Sequence, residues 1–344
     1  MAGELVLVTG GSGFVASHCI VQLIDAGYRV RATLRTLGRE PEVLEMLRTG
    51  GIVEPEHHVE FIRTDLLSDE GWAQAVAGCA YVLHVASPFP ARAPKDEGEL
   101  ILPAREGALR VLRAARAGGV KRVVLTSSFA AVGYGHGPVD RPFTEDDWTD
   151  VSGDGIGAYT KSKTLAERAA WDFVADGGGP ELVTINPTAV LGPLLGPDRS
   201  ASIQLVERML EGGVPGAPKL SFGVVDVRDV ADLHLRAMVD PVAAGERFLA
   251  VAGPFVSVHE VAMTLRARLG DRAKHVPTRE LPNWLVRIAG HFDRSLGERT
   301  GELGKRKAAS SDKARRLLGW TPRSNEDAIA ATGESLLRLG VAAD

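Results

Sequence analysis

The N-terminal residues of this chain combine three patterns that together restrict its fold. A short apolar run, Leu5-Val6-Leu7-Val8, leads directly into a glycine-rich turn over residues 9–16, and apolar residues at helical spacing follow from Ser17 to Asp25. A four-residue apolar run is typical of a strand that is buried on both faces. Glycine allows a tight turn and a close backbone approach to a phosphate, and the N-terminus of the following helix offers free N–H groups. The sequence therefore predicts a dinucleotide-binding loop.

The residues of this loop that we expect to contact the cofactor lie in the turn and at the start of the helix. They are Thr9, Gly10, Ser12, Gly13, Phe14 and Val15. A third glycine is expected where Ala16 stands. Alanine is the smallest substitute, so the close packing of the helix against the strand should be kept.

The end of the second predicted strand, residues 28–34, indicates which cofactor is preferred. In a dinucleotide fold this strand end meets the adenosine ribose, where an acidic residue favours NAD and a basic residue favours the 2′-phosphate of NADP. This chain has Arg35 there, with Arg39 nearby and no acidic residue before Glu40. The sequence therefore predicts NADPH/NADP as the cofactor. Asp65 follows the third predicted strand. Its carboxylate could accept a hydrogen bond from the adenine amino group or cap a helix, and both roles could hold.

Strand and helix patterns alternate through the first half of the chain. We predict strands over 4–9, 28–34, 59–64, 80–85, 121–127 and 182–186. We predict helices over 13–26, 71–77, 99–117 and 159–175. This alternation implies an α/β fold, a Rossmann-type doubly wound parallel sheet, with a smaller, mixed C-terminal part that binds substrate. We assign 1–193 and 222–252 to the NADP-binding domain, and 194–221 and 253–344 to the substrate-binding domain.

A tyrosine and a lysine four residues apart, Tyr159 and Lys163, suggest the chemistry. At this spacing both side chains lie on one face of a helix. A phenol has an ordinary pKa of about 10, which is too high for efficient proton transfer at neutral pH. A neighbouring ammonium favours the phenolate, so we expect Lys163 to lower the pKa of Tyr159.

Several segments resemble the extended short-chain dehydrogenase/reductase family, and in particular its dihydroflavonol-reductase-like members. The resemblance is carried by residues 9–16, by Tyr159 with Lys163, and by the segments 84–89, 122–128, 186–193, 222–231 and 317–322. It spans nearly the whole chain and keeps the order of the family. It is strongest towards NADPH-dependent aldehyde and ketone reductases of the methylglyoxal-reductase type.

This resemblance implies roles for further residues. The catalytic group is Ser128, Tyr159 and Lys163, with Ser127 as the alternative serine. The cofactor contacts beyond the loop and Arg35 are Asp65, Leu66, Val85, Ala86, Ser87, Thr126, Tyr159, Lys163, Pro187 and Val190. Ser128 and Tyr159 would hold the carbonyl of the substrate. Phe89 and Phe129 would line the pocket as apolar walls, although ordinary core packing is an equal alternative for each.

Composition and charge exclude several other classes. The 44 acidic and 40 basic residues give a formal charge of −4, so there is no attraction to nucleic acid or to an anionic membrane. Apolar runs stay well short of the ~18 residues that suggest a membrane span. The two cysteines and nine histidines show no spacing typical of a metal site. We expect a cytoplasmic enzyme that acts on a small-molecule carbonyl substrate, as a monomer or homodimer.

Four other functions compete on the same scaffold. A nucleotide-sugar dehydratase would place an Asp-Glu pair after the serine position, where this chain has Phe129-Ala130. An epimerase would favour an acidic residue in place of Arg35. A non-catalytic NADP sensor tends to lose the tyrosine or the lysine. Cinnamoyl-CoA reductases carry Trp-Tyr-Cys before the tyrosine, whereas this chain has Ile156-Gly157-Ala158. We therefore predict NADPH-dependent reduction of an aldehyde or ketone, with the epimerase or dehydratase as the alternative.

Overall fold

A computed structural model describes most of the chain with all side chains. The described residues are 3–88, 96–137, 139–153, 155–197, 200–292, 297 and 300–340. Phe89, which we predicted to line the substrate pocket, lies outside the described residues.

Eleven strands are found among these residues. They are β1 (Leu5–Val8), β2 (Arg29–Leu34), β3 (Val59–Arg63), β4 (Tyr81–His84), β5 (Arg122–Thr126), β6 (Glu181–Pro187), β7 (Ala189–Leu191), β8 (Ser221–Phe222), β9 (Val224–Asp226), β10 (Arg247–Ala250) and β11 (Val256–Ser257). Seven of them form one sheet in the order β10-β6-β5-β4-β1-β2-β3. Every pairing in this sheet is parallel. The order reverses between β1 and β4, which is the place where doubly wound sheets bind their ligands.

The described helices cover both faces of this sheet and extend beyond it. They are α1 (Phe14–Asp25), α2 (Glu40–Thr49), α3 (Trp72–Val76), α4 (Gly98–Ala117), α5 (Ala158–Ala175), α6 (Ala201–Leu210), α7 (Val227–Val239), α8 (Val258–Leu269), α9 (Asn283–Phe292), α10 (Asp312–Leu318) and α11 (Asn325–Arg338).

The apolar residues of the strands alternate between two buried layers. Val6, Val8 and Val124 pack with α1, α2, α7 and α10 on one face. Leu7 and Val123 pack with α3, α4 and α5 on the other face. Because both faces are buried there, the central strand β1 is apolar at every position, as is usual for parallel sheets, whereas β2 and β3 near the sheet edge carry Arg31 and Glu60. The predicted Rossmann-type fold is confirmed.

A second apolar cluster lies outside the large sheet. It joins α6, α8 and α11 to the short strands β7 and β9, with Ile203, Leu265 and Ile329 fully or almost fully buried. Two small sheets accompany it, in which β7 pairs with β9 and β8 pairs with β11. Trp320, which follows α10, packs instead in the layer formed by α1 and α7.

Candidate active site

The glycine loop between β1 and α1 has a backbone that only glycine adopts easily. Gly10 has a φ of +69°. A Cβ atom at Gly10 would lie 3.1 Å from Ala86, and one at Gly11 would lie 2.8 Å from the Cβ of Ala32. The amide of Gly13, the N-cap residue of α1, donates to the carbonyl of Gly10 at 2.8 Å. The loop thus leaves the N-terminus of α1 accessible to an anion such as a pyrophosphate.

A polar contact joins the end of β1 to the end of β4. The hydroxyl of Thr9 lies 2.8 Å from Nδ1 of His84 and accepts from the amide of Ala86 at 3.0 Å. Burial lowers the pKa of His84 to about 3, and the charge of Lys163 contributes in the same direction. His84 is therefore neutral at physiological pH. These contacts hold the Ala86 segment beside the glycine loop.

The three predicted catalytic residues lie around the end of β5. Ser128 follows β5, and its hydroxyl is hydrogen-bonded to the side chain of Tyr159, in the first turn of α5. Lys163 lies one turn further along α5, and its ammonium nitrogen is 3.4 Å from the carbonyl oxygen of Thr126. A small cavity is lined by Lys163 and Thr126 together with Ser87 from the segment after β4. Predicted residues from two strand ends and one helix thus meet at the carboxyl edge of the sheet.

The acid–base properties of these groups differ in part from the expectation. Burial raises the pKa of the Tyr159 phenol, and the hydrogen bond with Ser128 opposes this rise only in part. Burial also lowers the pKa of Lys163 to about 8. The expected lowering of the Tyr159 pKa is therefore not found in the protein without cofactor: desolvation of the phenol group is the larger effect, although 39% of the residue as a whole is exposed.

The structure distinguishes the two candidate serines. Ser127 is buried, and its hydroxyl donates to the carboxylate of Glu167 at 2.5 Å. Ser128 is partly exposed, and its hydroxyl accepts from the amide of Ala130 and contacts Tyr159. Ser128 is thus the serine that contacts the tyrosine.

Arg35 and Arg39 follow the C-terminal end of β2. Arg35 directly follows this strand and is exposed. The guanidinium of Arg39 donates to the hydroxyl of Ser12 in the glycine loop at 2.8 Å and forms an ion pair with Glu42 at 2.6 Å. Arg39 therefore lies beside the glycine loop with its charge paired to Glu42, and Arg35 lies at the end of β2.

Asp65 and Leu66 occupy the turn after β3. The carboxylate of Asp65 accepts from the amide of Leu67 at 2.9 Å, so it closes a local turn. It does not cap a helix, because α3 begins only at Trp72 with Gly71 as its N-cap residue. The side chain of Leu66 packs against α4 at Gly107.

The remaining predicted cofactor contacts lie near the same edge. Val85 packs partly buried against the main core after β4, and Pro187 is the last residue of β6. Val190 lies in β7 and packs against both apolar clusters. Phe14 is buried at the start of α1, and Val15 packs beside it.

Phe129 is part of an aromatic cluster. It is only 5% exposed, and its ring makes edge contacts with Tyr134, Phe143 and Phe255 at centroid distances of 5.5–5.9 Å. For Phe129 the structure favours core packing over direct contact with a substrate.

Two charged residues of this region were missed from the sequence. Glu167, one turn after Lys163, is buried and paired with the buried Arg247 of β10 at 2.7 Å. A glutamate on a helix is usually exposed, and its partner is 80 residues away in the chain, so no local pattern marks this pair. Within the described part of the chain, no group of three or more His, Cys, Asp or Glu side chains could hold a metal ion. None of the helices described there is long and apolar enough to cross a membrane.

Residues 6–250 match the model of the NAD dependent epimerase/dehydratase family. A cinnamoyl-CoA reductase from Medicago truncatula is 38% identical over 255 residues, which cover 72% of this chain and 76% of that protein. A ketoreductase from Aspergillus niger is 34% identical over 353 aligned residues, which cover 96% of this chain and 97% of that protein.

A solved structure extends the similarity over the whole fold. Gre2 from Candida albicans, in complex with NADPH, superimposes with a TM-score of 0.79 at 26% identity. The match covers 98% of this chain and 99% of that chain.

Proposed function

The chain belongs to the NAD dependent epimerase/dehydratase family, and we propose that it is an NADPH-dependent reductase that converts an aldehyde or ketone into an alcohol. The observation that carries this proposal is the hydrogen bond between Ser128 and Tyr159, one helical turn from Lys163 at the end of β5. Relatives with high coverage of this chain are named reductases, which supports the same class.

The residues present fit a bound NADPH. Gly10 has a backbone conformation that favours glycine, and the loop it forms leaves the N-terminus of α1 accessible to the pyrophosphate. Arg35 and Arg39 offer positive charge to a 2′-phosphate. Lys163 would hold the ribose hydroxyls. The NADPH complex of Gre2 from Candida albicans, 26% identical to this chain, supports the same cofactor.

The proposed mechanism assigns one role to each catalytic side chain. Ser128 and Tyr159 donate hydrogen bonds to the carbonyl oxygen of the substrate, which orients it and stabilises the negative charge that develops there. NADPH supplies the hydride that is added to the carbonyl carbon. Tyr159 donates its proton to the oxygen, so that an alcohol is formed. The charge of Lys163 favours the phenolate that remains, which is then reprotonated from solvent.

A direct test is the oxidation of NADPH against NADH by the purified protein, with aldehydes, ketones and 1,2-dicarbonyls as substrates. We expect NADPH-preferring turnover that is lost in Tyr159→Phe. UDP- and GDP-sugars are included in the same panel and followed by chromatography. Conversion of a nucleotide sugar without net use of cofactor, and no carbonyl turnover, would instead establish the epimerase alternative. NADPH binding without any turnover would indicate a sensor.

A further inference from the structure

Glu167 is the centre of a buried polar network directly behind the proposed catalytic group. It lies on α5, one turn after Lys163, and its side chain is fully buried. Oε2 accepts from Ser127 at 2.5 Å and from Asn186 at 2.7 Å. Oε1 accepts from Arg247, Thr184 and Trp171 at 2.7, 3.0 and 3.4 Å.

Two partners of Glu167, Ser127 and Asn186, lie at the carboxyl ends of β5 and β6, where the site is formed. Ser127 directly precedes Ser128 in the chain. Asn186 also donates to the backbone carbonyl of Ser128 at 3.2 Å. The carboxylate of Glu167 therefore connects the helix that carries Tyr159 to the segment that carries Ser128. A rotation of α5 or a shift of this segment would break several hydrogen bonds at once.

Arg247 pairs with this carboxylate and is itself held from the opposite side. Its Nη1 atom donates to the carbonyls of Glu145 and Asp147 at 2.5 and 2.9 Å. Its guanidinium carbon lies 3.7 Å from the centre of the Trp148 ring. A buried carboxylate with a charged partner and several donors is stable as an anion. Glu167 and Arg247 thus form a buried ion pair inside the fold.

The charge of Glu167 also acts on Lys163. Burial lowers the pKa of Lys163 to about 8, and the negative charge of Glu167 opposes this lowering. Among the described residues, the other groups that line the cavity beside Lys163 include no second carboxylate. They include the neutral His84 at the end of β4, the Thr126 carbonyl of β5, and Ala104 and Ala108 of α4.

We propose that Glu167 is a positioning residue for the reduction: its hydrogen bonds fix Ser128 opposite Tyr159, and its charge keeps Lys163 protonated in the buried site. This inference rests on the proposed Ser-Tyr-Lys mechanism. It assigns no contact between Glu167 and substrate or cofactor, since Ser127, Asn186 and Arg247 surround its carboxylate.

The primary test compares Glu167→Gln with Glu167→Asp in two measurements across pH 6–10. These are the value of kcat and the dissociation constant of NADPH, the latter from cofactor fluorescence. Without the negative charge, Lys163 should lose its proton at a lower pH. In the wild type, kcat and the affinity for NADPH should both fall at alkaline pH, as Lys163 loses its proton. We expect this fall to occur about one pH unit lower in Glu167→Gln. Glu167→Asp keeps the charge and should retain the wild-type pH dependence.

A matched control separates this effect from simple destabilisation. Asp229 of α7 is likewise a buried carboxylate paired with an arginine, Arg323, but it lies away from the site. We expect Asp229→Asn to lower the melting temperature and to leave both pH profiles unchanged. If Glu167→Gln shows the wild-type pH profiles, the electrostatic part of the proposal is overturned.

Ser127→Ala tests the positioning role without a change of charge. We expect kcat to fall about tenfold, because one lost hydrogen bond costs about this much at the upper end of its usual contribution. The KM for NADPH and the pH profile should stay unchanged. An unchanged kcat in this variant would overturn the positioning role, even if Glu167→Gln fails to fold. Full activity in Tyr159→Phe would overturn the proposed mechanism itself. Inactivity of Tyr159→Phe beside normal Glu167→Gln and Ser127→Ala variants would overturn this inference alone.

Discussion

The ammonium nitrogen of Lys163 lies 3.4 Å from the backbone carbonyl oxygen of Thr126, two residues before Ser128. At this distance the contact is weak, and it leaves the lysine able to donate to a bound ribose. We therefore expect Lys163→Met to weaken NADPH binding by about 10- to 100-fold, the usual range for a lost hydrogen bond to a charged group. Fluorescence titration with NADPH measures this effect directly.

A second lysine on the same helix provides the control. Lys161 forms an ion pair with Glu97 at 2.8 Å and is partly exposed. Lys161→Met should leave the dissociation constant of NADPH close to the wild-type value. Equal losses in the two variants would mean that the helix as a whole was disturbed, and would contradict a cofactor contact of Lys163.

Tyr159 should be essential for turnover but not for cofactor binding. Removing its hydroxyl takes away the proton donor, and such groups contribute about 10²- to 10⁴-fold to the rate. We expect Tyr159→Phe to lower kcat by this factor and to change NADPH affinity little. Single-turnover kinetics and NADPH titration separate the two effects. A protein that no longer binds NADPH would indicate a structural role for Tyr159.

The preference for NADPH should depend on Arg35 at the end of β2. An arginine bound to a phosphate makes charge-assisted hydrogen bonds that NADH cannot receive. We expect Arg35→Ala to weaken the binding of NADPH by about 10- to 100-fold and the binding of NADH by much less. The control is Arg29→Ala, because Arg29 is an exposed arginine at the opposite end of the same strand. Equal losses for the two cofactors in Arg35→Ala would refute the assignment of Arg35 to the 2′-phosphate.

The glycine loop provides a prediction that depends on both conformation and space. Gly10→Ala would place a Cβ at a φ of +69° and 3.1 Å from Ala86. Gly119 has a φ of +68° with no atom within 4 Å of its Cβ position. Gly119→Ala therefore shows the cost of the conformation alone, about 1–2 kcal/mol of unfolding free energy. We expect Gly10→Ala to lose more stability and also to lose NADPH binding, as measured by urea unfolding and titration. Intact NADPH binding in Gly10→Ala would be incompatible with a close approach of the loop to the cofactor.

The sequence was sufficient for most of the large sheet. Its first six strands are short runs rich in apolar and β-branched residues, and their positions agree with the prediction within a few residues. The seventh strand, β10, was not predicted, since only Phe248, Leu249 and Ala250 follow a charged Arg247. Helix α2 was also not predicted, although Val43, Met46 and Leu47 have helical spacing and are buried.

The electrostatics of the site needed the three-dimensional structure. The spacing of Tyr159 and Lys163 predicts their common helix face, but it carries no information about burial, which raises the pKa of Tyr159. The pairing of Glu167 with Arg247 joins two residues 80 positions apart. Such a contact depends on the packing of α5 against β10 and has no local signature in the sequence.

Three buried histidines should make the protein less stable in mild acid. Burial lowers the pKa of His18 and His234 to about 4 and that of His84 to about 3. Between pH 6.5 and these values the unfolded chain binds protons that the folded protein does not bind, so the free energy of unfolding falls as pH decreases. At pH 5 each histidine should account for a loss of about 2 kcal/mol relative to pH 7.

Replacement of one histidine isolates its share of this loss. His18 contacts the carbonyl of Pro193 through Nε2 at 2.9 Å, and a glutamine can donate to the same carbonyl without titrating. In urea unfolding at pH 7, 6 and 5, His18→Gln should lose about 2 kcal/mol less than wild type over this range. His57 is 69% exposed, so His57→Gln should follow the wild-type curve. If His18→Gln also follows the wild-type curve, His18 is protonated in the folded protein and the acid sensitivity has another source.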